Sequence, residues 1–91
     1  MKKQVHVLIS GNVQGVWFRA STQQKAEQLG LTGWVKNTPG EHVEAVFEGE
    51  EDQVQKMINW CQHGPPLAVV KNVVVTPQRH TSGFTNFSIQ Y

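Results

Sequence analysis

Residues 5–19 read VHVLISGNVQGVWFR, and the spacing of their apolar residues changes along the segment from every second position to every third or fourth. The first part alternates like a strand that buries one face, and its inward residues would be Val5, Val7 and Ile9. Gly11 and Gly15 follow, and beyond them one face of a helix is predicted at Phe18, Thr22, Ala26 and Leu29. This segment therefore predicts a strand, a glycine-containing turn and a helix, which Gly30 ends.

The middle of the chain predicts a hairpin and a second helix. Apolar and polar residues alternate over residues 31–36 and again over 42–48, and the turn-forming sequence Thr-Pro-Gly-Glu lies between them at 38–41. The second helix is indicated by apolar residues at helical spacing, which are Val54, Met57, Ile58 and Cys61. Acidic residues at 50–52 suit its N-terminus, and the Gly-Pro-Pro sequence at 64–66 ends it.

Two further strands complete the pattern. The valine-rich residues 69–75 predict one and an alternation at Phe87, Ile89 and Tyr91 predicts the other, with residues 76–83 as an irregular connection. The order of elements predicts an α+β fold of the ferredoxin-like split βαβ type, a βαββαβ sandwich. Two helices would cover one face of an antiparallel sheet, to which the C-terminal segment adds an edge strand. Because this architecture serves enzymes, metabolite sensors and RNA binders alike, it does not identify a function.

The composition favours one compact domain over residues 1–91. The chain is 38% hydrophobic and 16% charged, which suits a single core. Its one cysteine, Cys61, cannot form an internal disulfide, and the start of the chain lacks a long apolar run. We therefore expect a cytoplasmic protein that does not enter a membrane. The net charge of +1 gives no broad positive field, so any anion site must be local.

The turn after the first strand has the features of an anion site. Two glycines allow the backbone to curl, so that several N–H groups point at one anion beside the start of a helix. Arg19 would lie in the first helical turn, where its positive charge opposes the helix dipole unless an anion binds. The alternative is that the glycines only form a turn and that Arg19 is a solvated surface residue. The length of the turn and its apolar residues favour the anion site.

Residues 11–19, Gly-Asn-Val-Gln-Gly-Val-Trp-Phe-Arg, match the acylphosphatase pattern Gly-x-Val-Gln-Gly-Val-x-Phe-Arg without interruption. A second segment, Gly-Trp-Val-Lys-Asn at 33–37 followed by Val43 and Gly49, resembles the other signature of that family. Later segments are similar as well, so the resemblance to the acylphosphatase family covers nearly the whole chain. It implies a hydrolase that cleaves the carboxyl–phosphate bond of acyl phosphates to a carboxylate and inorganic phosphate, without a metal or other cofactor.

The resemblance also implies which residues act. Backbone N–H groups of the loop would bind the phosphoryl oxygens together with the Arg19 guanidinium, and the loop residues are Gln14, Gly15, Val16, Trp17 and Phe18. Asn37 would hold the attacking water, so that Arg19 and Asn37 are the catalytic pair. A carboxamide suits this role, because it accepts a hydrogen bond from water and donates one to phosphate, although it cannot act as a base. The alternative for Asn37 is an ordinary turn residue.

One position departs from the family pattern, and one variable position of the first signature carries a large residue. Gly40 comes one residue earlier than the usual turn glycine, which changes the expected hairpin turn. The distance from Asn37 to Val43 is kept, so we expect the site to be retained. Trp17 occupies a position where smaller residues are common. Its indole would either line the acyl side of the substrate or pack against the protein, and packing is slightly favoured.

Other functions find less support in the sequence. Four scattered histidines and the lone cysteine form no metal-ligand spacing. An RNA-binding module is disfavoured because the predicted open sheet face carries one aromatic residue, two carboxylates and no basic stripe. A non-catalytic anion-binding module, like the acylphosphatase-like modules of larger carbamoyl-transfer maturation proteins, is the other alternative. We expect a stand-alone monomer with a small-molecule substrate, with inorganic phosphate as product and competitive inhibitor, and without nucleic-acid or membrane partners.

Overall fold

The computed structural model describes residues 2–15, 17–79 and 84–90. The elements in these residues are, in order, β1 (Lys2–Asn12), α1 (Phe18–Gln28), β2 (Thr32–Thr38), β3 (His42–Glu50), α2 (Glu51–Cys61), β4 (Val69–Gln78) and β5 (Phe87–Ile89). Their order confirms the predicted succession of strands and helices, including the final edge strand. No helix in this part of the chain is long and apolar enough to cross a membrane.

The strands form one sheet in the order β4-β1-β3-β2-β5. β1 pairs antiparallel with both β3 and β4, and β2 pairs antiparallel with β3. This arrangement confirms the split βαβ fold. β5 runs parallel to β2, so the complete sheet is mixed, whereas the sequence predicted an antiparallel sheet. The cause is strand direction, because β5 runs opposite to the preceding β4, and β4 itself runs opposite to β2.

Both helices pack on the same face of the sheet. The core contains the predicted inward residues of β1, β2 and β3, which are Val5, Val7, Ile9, Val35, Val43, Ala45 and Phe47. The helices contribute the buried residues Phe18, Thr22, Ala26, Val54, Met57 and Cys61. Phe87 of β5 stacks on Phe47 with ring centroids 5.6 Å apart, which attaches the edge strand to the core.

β4 is longer than the sequence predicted. It extends to Gln78, and its last residues, 76–78, pair with the start of β1 instead of forming an irregular connection. Pro77 is tolerated there because β4 is an edge strand, where a missing N–H need not break a ladder. Residues 80–83 of the predicted connection lie outside the described residues, as does Tyr91 of the predicted last strand.

The turn between β2 and β3 contains two residues in the left-handed region. Thr38 pairs with His42, and residues 39–41 connect them. Gly40 has a φ of 85°, which glycine adopts freely, whereas Glu41 has a φ of 63°. A left-handed conformation costs a residue with a Cβ atom about 1–2 kcal/mol. Gly40 therefore avoids this cost at the first left-handed position, whereas Glu41 bears it at the second. Asn37 still pairs with Val43, so the hairpin has the expected register.

Candidate active site

The anion loop, which we define as residues 13–17, connects β1 to α1. Gly15 has a φ of 74° and Trp17 a φ of 63°, so the backbone passes through two left-handed residues before the helix begins. The Ser21 N–H donates to the Trp17 carbonyl at 2.9 Å, which is the first hydrogen bond of the helix. Within the described residues, no side chain caps this N-terminus and the first turn contains no acidic residue. The positive end of the helix dipole therefore suits an anion.

The anion loop, α1, β2 and β5 surround a cavity of about 380 Å³. Its lining residues are Val13, Gly15, Trp17, Phe18, Arg19, Ala20, Asn37 and Ile89. A volume of this size lies within the range of about 300–1,000 Å³ that small-molecule sites occupy. The structure thus places Arg19 and Asn37, the two residues predicted to be catalytic, in one cavity with the loop predicted to bind phosphate.

Arg19 lies in the first turn of α1 and is half-buried. It reaches the cavity from the same helix end that supplies the N–H groups. A guanidinium is planar and carries a fork of donors that matches two oxygens of a phosphoryl group. Partial burial strengthens such an interaction, because water screens the two charges less than it does at the surface. The position of Arg19 therefore suits an anion held between its side chain and the helix start.

Asn37 lies within β2 opposite Val43, so the alternative that it is a turn residue is wrong. Its Oδ1 atom is buried and accepts no hydrogen bond from the described residues. A buried amide oxygen that lacks a partner is costly in free energy unless a bound molecule satisfies it. Because Asn37 also lines the cavity, a ligand or water molecule bound there is a suitable partner.

Gln14 joins the anion loop to the hairpin that carries Asn37. Its Nε2 atom donates to the Thr38 and His42 carbonyls, at 2.9 Å in both cases. Thr38 and His42 form the last pair of the β2–β3 hairpin. The sequence predicted only a backbone role for Gln14 and missed this contact, because the two acceptors lie 24 and 28 residues away along the chain.

Phe18 was predicted to bind phosphate through its backbone N–H group. Its side chain is buried, which is compatible with that role. Its ring contacts Trp60 edge to face, with the ring centroids 5.7 Å apart. Trp60 is partly buried and packs against the core. Phe18 thus anchors the start of α1 in the core while it also lines the cavity. Val16, another predicted phosphate-binding residue, lies outside the described residues.

Trp17 does not pack against the protein, so the favoured expectation for its side chain is wrong. It is 79% exposed, although it lines the cavity. Its left-handed φ of 63° adds a cost of about 1–2 kcal/mol, since Trp17 carries a Cβ atom. Sequence reasoning also missed three apolar lining residues, Val13, Ala20 and Ile89. Ile89 had no local signal, because it comes from the far end of the chain through the parallel pairing of β5 with β2.

Cys61 and the histidines within the described ranges, His6, His42 and His63, are not part of the cavity lining. Burial raises the pKa of the Cys61 thiol to about 12, so the thiol stays protonated and is a poor nucleophile. Across the described ranges, no three or more His, Cys, Asp or Glu side chains are grouped so that they could hold a metal ion.

The sheet face opposite the helices carries charges that pair with one another. Glu44 contacts His6 Nε2 at 2.5 Å and Lys36 Nζ at 3.7 Å. The Lys36 ammonium also lies 5.3 Å from the centroid of the Trp34 ring. Lys36 is therefore engaged by a carboxylate and an aromatic ring.

Comparisons with known proteins all identify the same family. A model of the acylphosphatase family matches residues 5–89. An acylphosphatase of Methylococcus capsulatus is 51% identical over 87 residues, which cover 96% of this chain and 95% of the relative. Among solved structures, the acylphosphatases of Coxiella burnetii and Bacillus subtilis are similar with TM-scores of 0.94 and 0.95, at 42% and 37% identity. These matches cover 98% and 100% of this chain, and 93% and 100% of the respective structures.

Sequence and structure thus agree on the relationship. The matched residues include the anion loop, Arg19, Asn37 and Ile89, which together border the cavity. The M. capsulatus relative and both solved structures are aligned over nearly their full length, and all three are acylphosphatases. The chain therefore belongs to the acylphosphatase family of enzymes.

Proposed function

We propose that this enzyme binds the phosphoryl group of an acyl phosphate in the cavity beside the anion loop and hydrolyses the carboxyl–phosphate bond there. The observation that supports this most directly is that the loop, Arg19 and Asn37 line the same cavity. The products are a carboxylate and inorganic phosphate, and the latter competes with the substrate because it fits the same phosphoryl site.

The phosphoryl group is held by backbone donors and by one cation. Three equatorial oxygens accept hydrogen bonds from the N–H groups of residues 14–18, which lead into α1, and from the Arg19 guanidinium. Negative charge on these oxygens is redistributed as the phosphoryl group is transferred. Donors that are already oriented stabilise this charge without a reorganisation cost. Binding and charge stabilisation therefore come from the same groups.

Asn37 positions the attacking water. Its Oδ1 atom accepts a hydrogen bond from the water, and its Nδ2 group donates to a phosphoryl oxygen. The water oxygen attacks phosphorus, and the bond between phosphorus and the acyl oxygen breaks with the electron pair leaving on the carboxylate. Because an amide cannot take a proton, the proton of the water passes to a phosphoryl oxygen of the substrate. A good carboxylate leaving group makes a protein acid unnecessary, so positioning dominates the rate.

Arg19 is tested by Arg19→Lys and Arg19→Ala, with Arg79→Ala as an exposed control outside the cavity. Both Arg19 variants should lose about 100-fold to 1,000-fold in kcat/KM for phosphate release, the usual effect of removing one preorganised donor. Lysine keeps the charge but lacks the planar fork, so it should not restore activity. Wild-type rates in Arg19→Lys would contradict the geometric role of the guanidinium.

Asn37 is tested by Asn37→Ala, with the exposed Asn72→Ala of β4 as control. Turnover should be lost while competitive inhibition by inorganic phosphate is largely kept, because the loop N–H groups and the Arg19 guanidinium supply most of the donors to phosphate. An equal loss of phosphate affinity would instead make Asn37 a binding residue. Phosphate binding by the wild type without any release of phosphate from an acyl phosphate would identify a non-catalytic anion-binding module.

The same mechanism requires no protein group to titrate near neutral pH. We expect kcat to be constant between about pH 6 and pH 8, and a bell-shaped profile in this range would contradict a mechanism without a protein base.

We further propose that the enzyme works as a monomer in the cytoplasm, without nucleic-acid or membrane partners. The net charge of +1 and the pairing of Lys36 with Glu44 on the open sheet face argue against a phosphate-backbone ligand. The buried thiol of Cys61 suits a reducing compartment. Sedimentation velocity of the purified enzyme tests whether it is a monomer. A species with the mass of a dimer at micromolar concentration would overturn this proposal.

A further inference from the structure

Trp17 combines two features that its environment does not explain. Its side chain contributes little to the core, because it is 79% exposed. Its backbone is in the left-handed region, which glycine or asparagine would occupy more easily. An exposed indole in an unfavourable backbone conformation therefore does not serve stability.

The position of Trp17 points to a ligand. It directly precedes the first residue of α1 and lines the cavity that also contains Arg19 and Asn37. Large aromatic side chains bind ligands with little loss of conformational entropy, since two torsion angles define them, and they stack on flat groups.

The cavity has a polar part and an apolar part. Arg19 and Asn37 form the polar part, and the apolar residues of the lining are Val13, Trp17, Phe18, Ala20 and Ile89. Among the described lining residues, Arg19 alone carries a formal charge. Because the Arg19 guanidinium binds the phosphoryl group, no other cationic residue of the described lining is left to pair with a second negative charge on the substrate.

We infer that Trp17 forms the subsite for the acyl group and makes the enzyme selective for acyl phosphates with an aromatic or extended apolar acyl group. This inference rests on the proposed function, in which the phosphoryl group lies at Arg19. The acyl group then extends from the phosphoryl site across the apolar lining to the indole. Acyl groups that carry a carboxylate are disfavoured, because they meet an apolar wall and an aromatic face.

The experiment compares kcat/KM for benzoyl phosphate, acetyl phosphate and succinyl phosphate. In the wild type we expect benzoyl phosphate to be the best of the three and succinyl phosphate the poorest. Trp17→Gly should reduce the ratio of benzoyl to acetyl phosphate about tenfold, the size of one lost aromatic stacking contact. Trp17→Phe should restore most of the ratio because it keeps a flat ring.

Two controls separate selectivity from folding. Leu67→Gly removes an exposed apolar side chain, 73% accessible and outside the cavity lining, and should leave the ratio unchanged. Trp17→Asn removes the indole with a residue that tolerates the left-handed conformation, and it should behave like Trp17→Gly.

A binding measurement separates this inference from the proposed function. Benzylphosphonate and methylphosphonate cannot be hydrolysed at the phosphorus–carbon bond, so the ratio of their dissociation constants reports the subsite without any contribution from turnover. Trp17→Gly should weaken benzylphosphonate about tenfold relative to methylphosphonate. Equal ratios in the variant and the wild type, for substrates and phosphonates, would overturn the subsite. Failure of the wild type to release phosphate from any acyl phosphate would instead overturn the proposed function.

Discussion

Replacing Gln14 by alanine removes the two hydrogen bonds that connect the anion loop to the hairpin. Both bonds are 2.9 Å long and run to backbone carbonyls, those of Thr38 and His42. A typical internal hydrogen bond contributes about 1 kcal/mol, so Gln14→Ala should lower the free energy of unfolding by about 2 kcal/mol. The Thr38 hydroxyl also donates to the His42 carbonyl at 3.3 Å, which leaves that oxygen with a partner and keeps the loss near this value.

The effect on catalysis should exceed the effect on phosphate binding. Gln14 holds the loop that binds phosphate next to the strand that carries Asn37, so its loss lets the two parts move relative to each other. A displacement of about 1 Å between reacting groups can cost about 100-fold in rate. We expect kcat of Gln14→Ala to fall about 10-fold to 100-fold, with a smaller change in the inhibition constant of inorganic phosphate.

Urea unfolding followed by circular dichroism measures the stability change, and phosphate release measures kcat. Gln55→Ala is the matched control, because Gln55 is exposed on α2 and makes one bond to Asn59 at 3.0 Å. The control should change stability by less than about 0.5 kcal/mol. Wild-type stability together with wild-type kcat in Gln14→Ala would refute the view that this side chain couples the loop to the hairpin.

Two further predictions concern stability. Glu41→Gly should raise the free energy of unfolding by about 0.5–1 kcal/mol, because relief of the left-handed strain exceeds the added flexibility of the unfolded chain; an unchanged urea midpoint would contradict the strain. Burial raises the pKa of the Cys61 thiol from its ordinary 9.0 to about 12, so the native state retains a proton that the unfolded chain releases above pH 9. Stability should therefore be unaffected by this group below pH 9 and fall by about 1.4 kcal/mol at pH 10. The decrease between pH 7 and pH 10 should be smaller by this amount in Cys61→Ala, and equal decreases in both proteins would show that burial of the thiol has no such effect.

The fold was predictable where the signal is local. The inward residues of β1 follow from alternation alone, as do those of the hairpin, because side chains change sides at every residue of a strand. The end of β4 was not predictable in this way. Pro77 locally favours a loop, and only pairing with β1, more than 70 residues earlier in the chain, keeps it in the sheet. The parallel direction of β5 likewise depends on where the whole sheet leaves an open edge.

The candidate site was predictable in its polar residues more than in its apolar ones. Arg19 and Asn37 lie in recognisable motifs, and the structure places both at the cavity. Gln14 lies in a motif as well, but its side-chain acceptors are set by tertiary structure. Ile89 carries no chemical signal at all, and the exposure of Trp17 could not be deduced from residue type, since tryptophan is usually well buried.

The position of Ile89 has a practical consequence for how the enzyme is handled. β5 is three residues long and is held by its pairing with β2 and by the Phe87–Phe47 stack. A partner or affinity tag fused directly after β5 is therefore attached within a few residues of the cavity. A force on that peptide would displace Ile89 from the cavity lining. The N-terminal end of β1 pairs with Glu50, at the opposite end of that strand from the anion loop. Fusions are better tolerated there, because the cavity is built from the other end of the sheet.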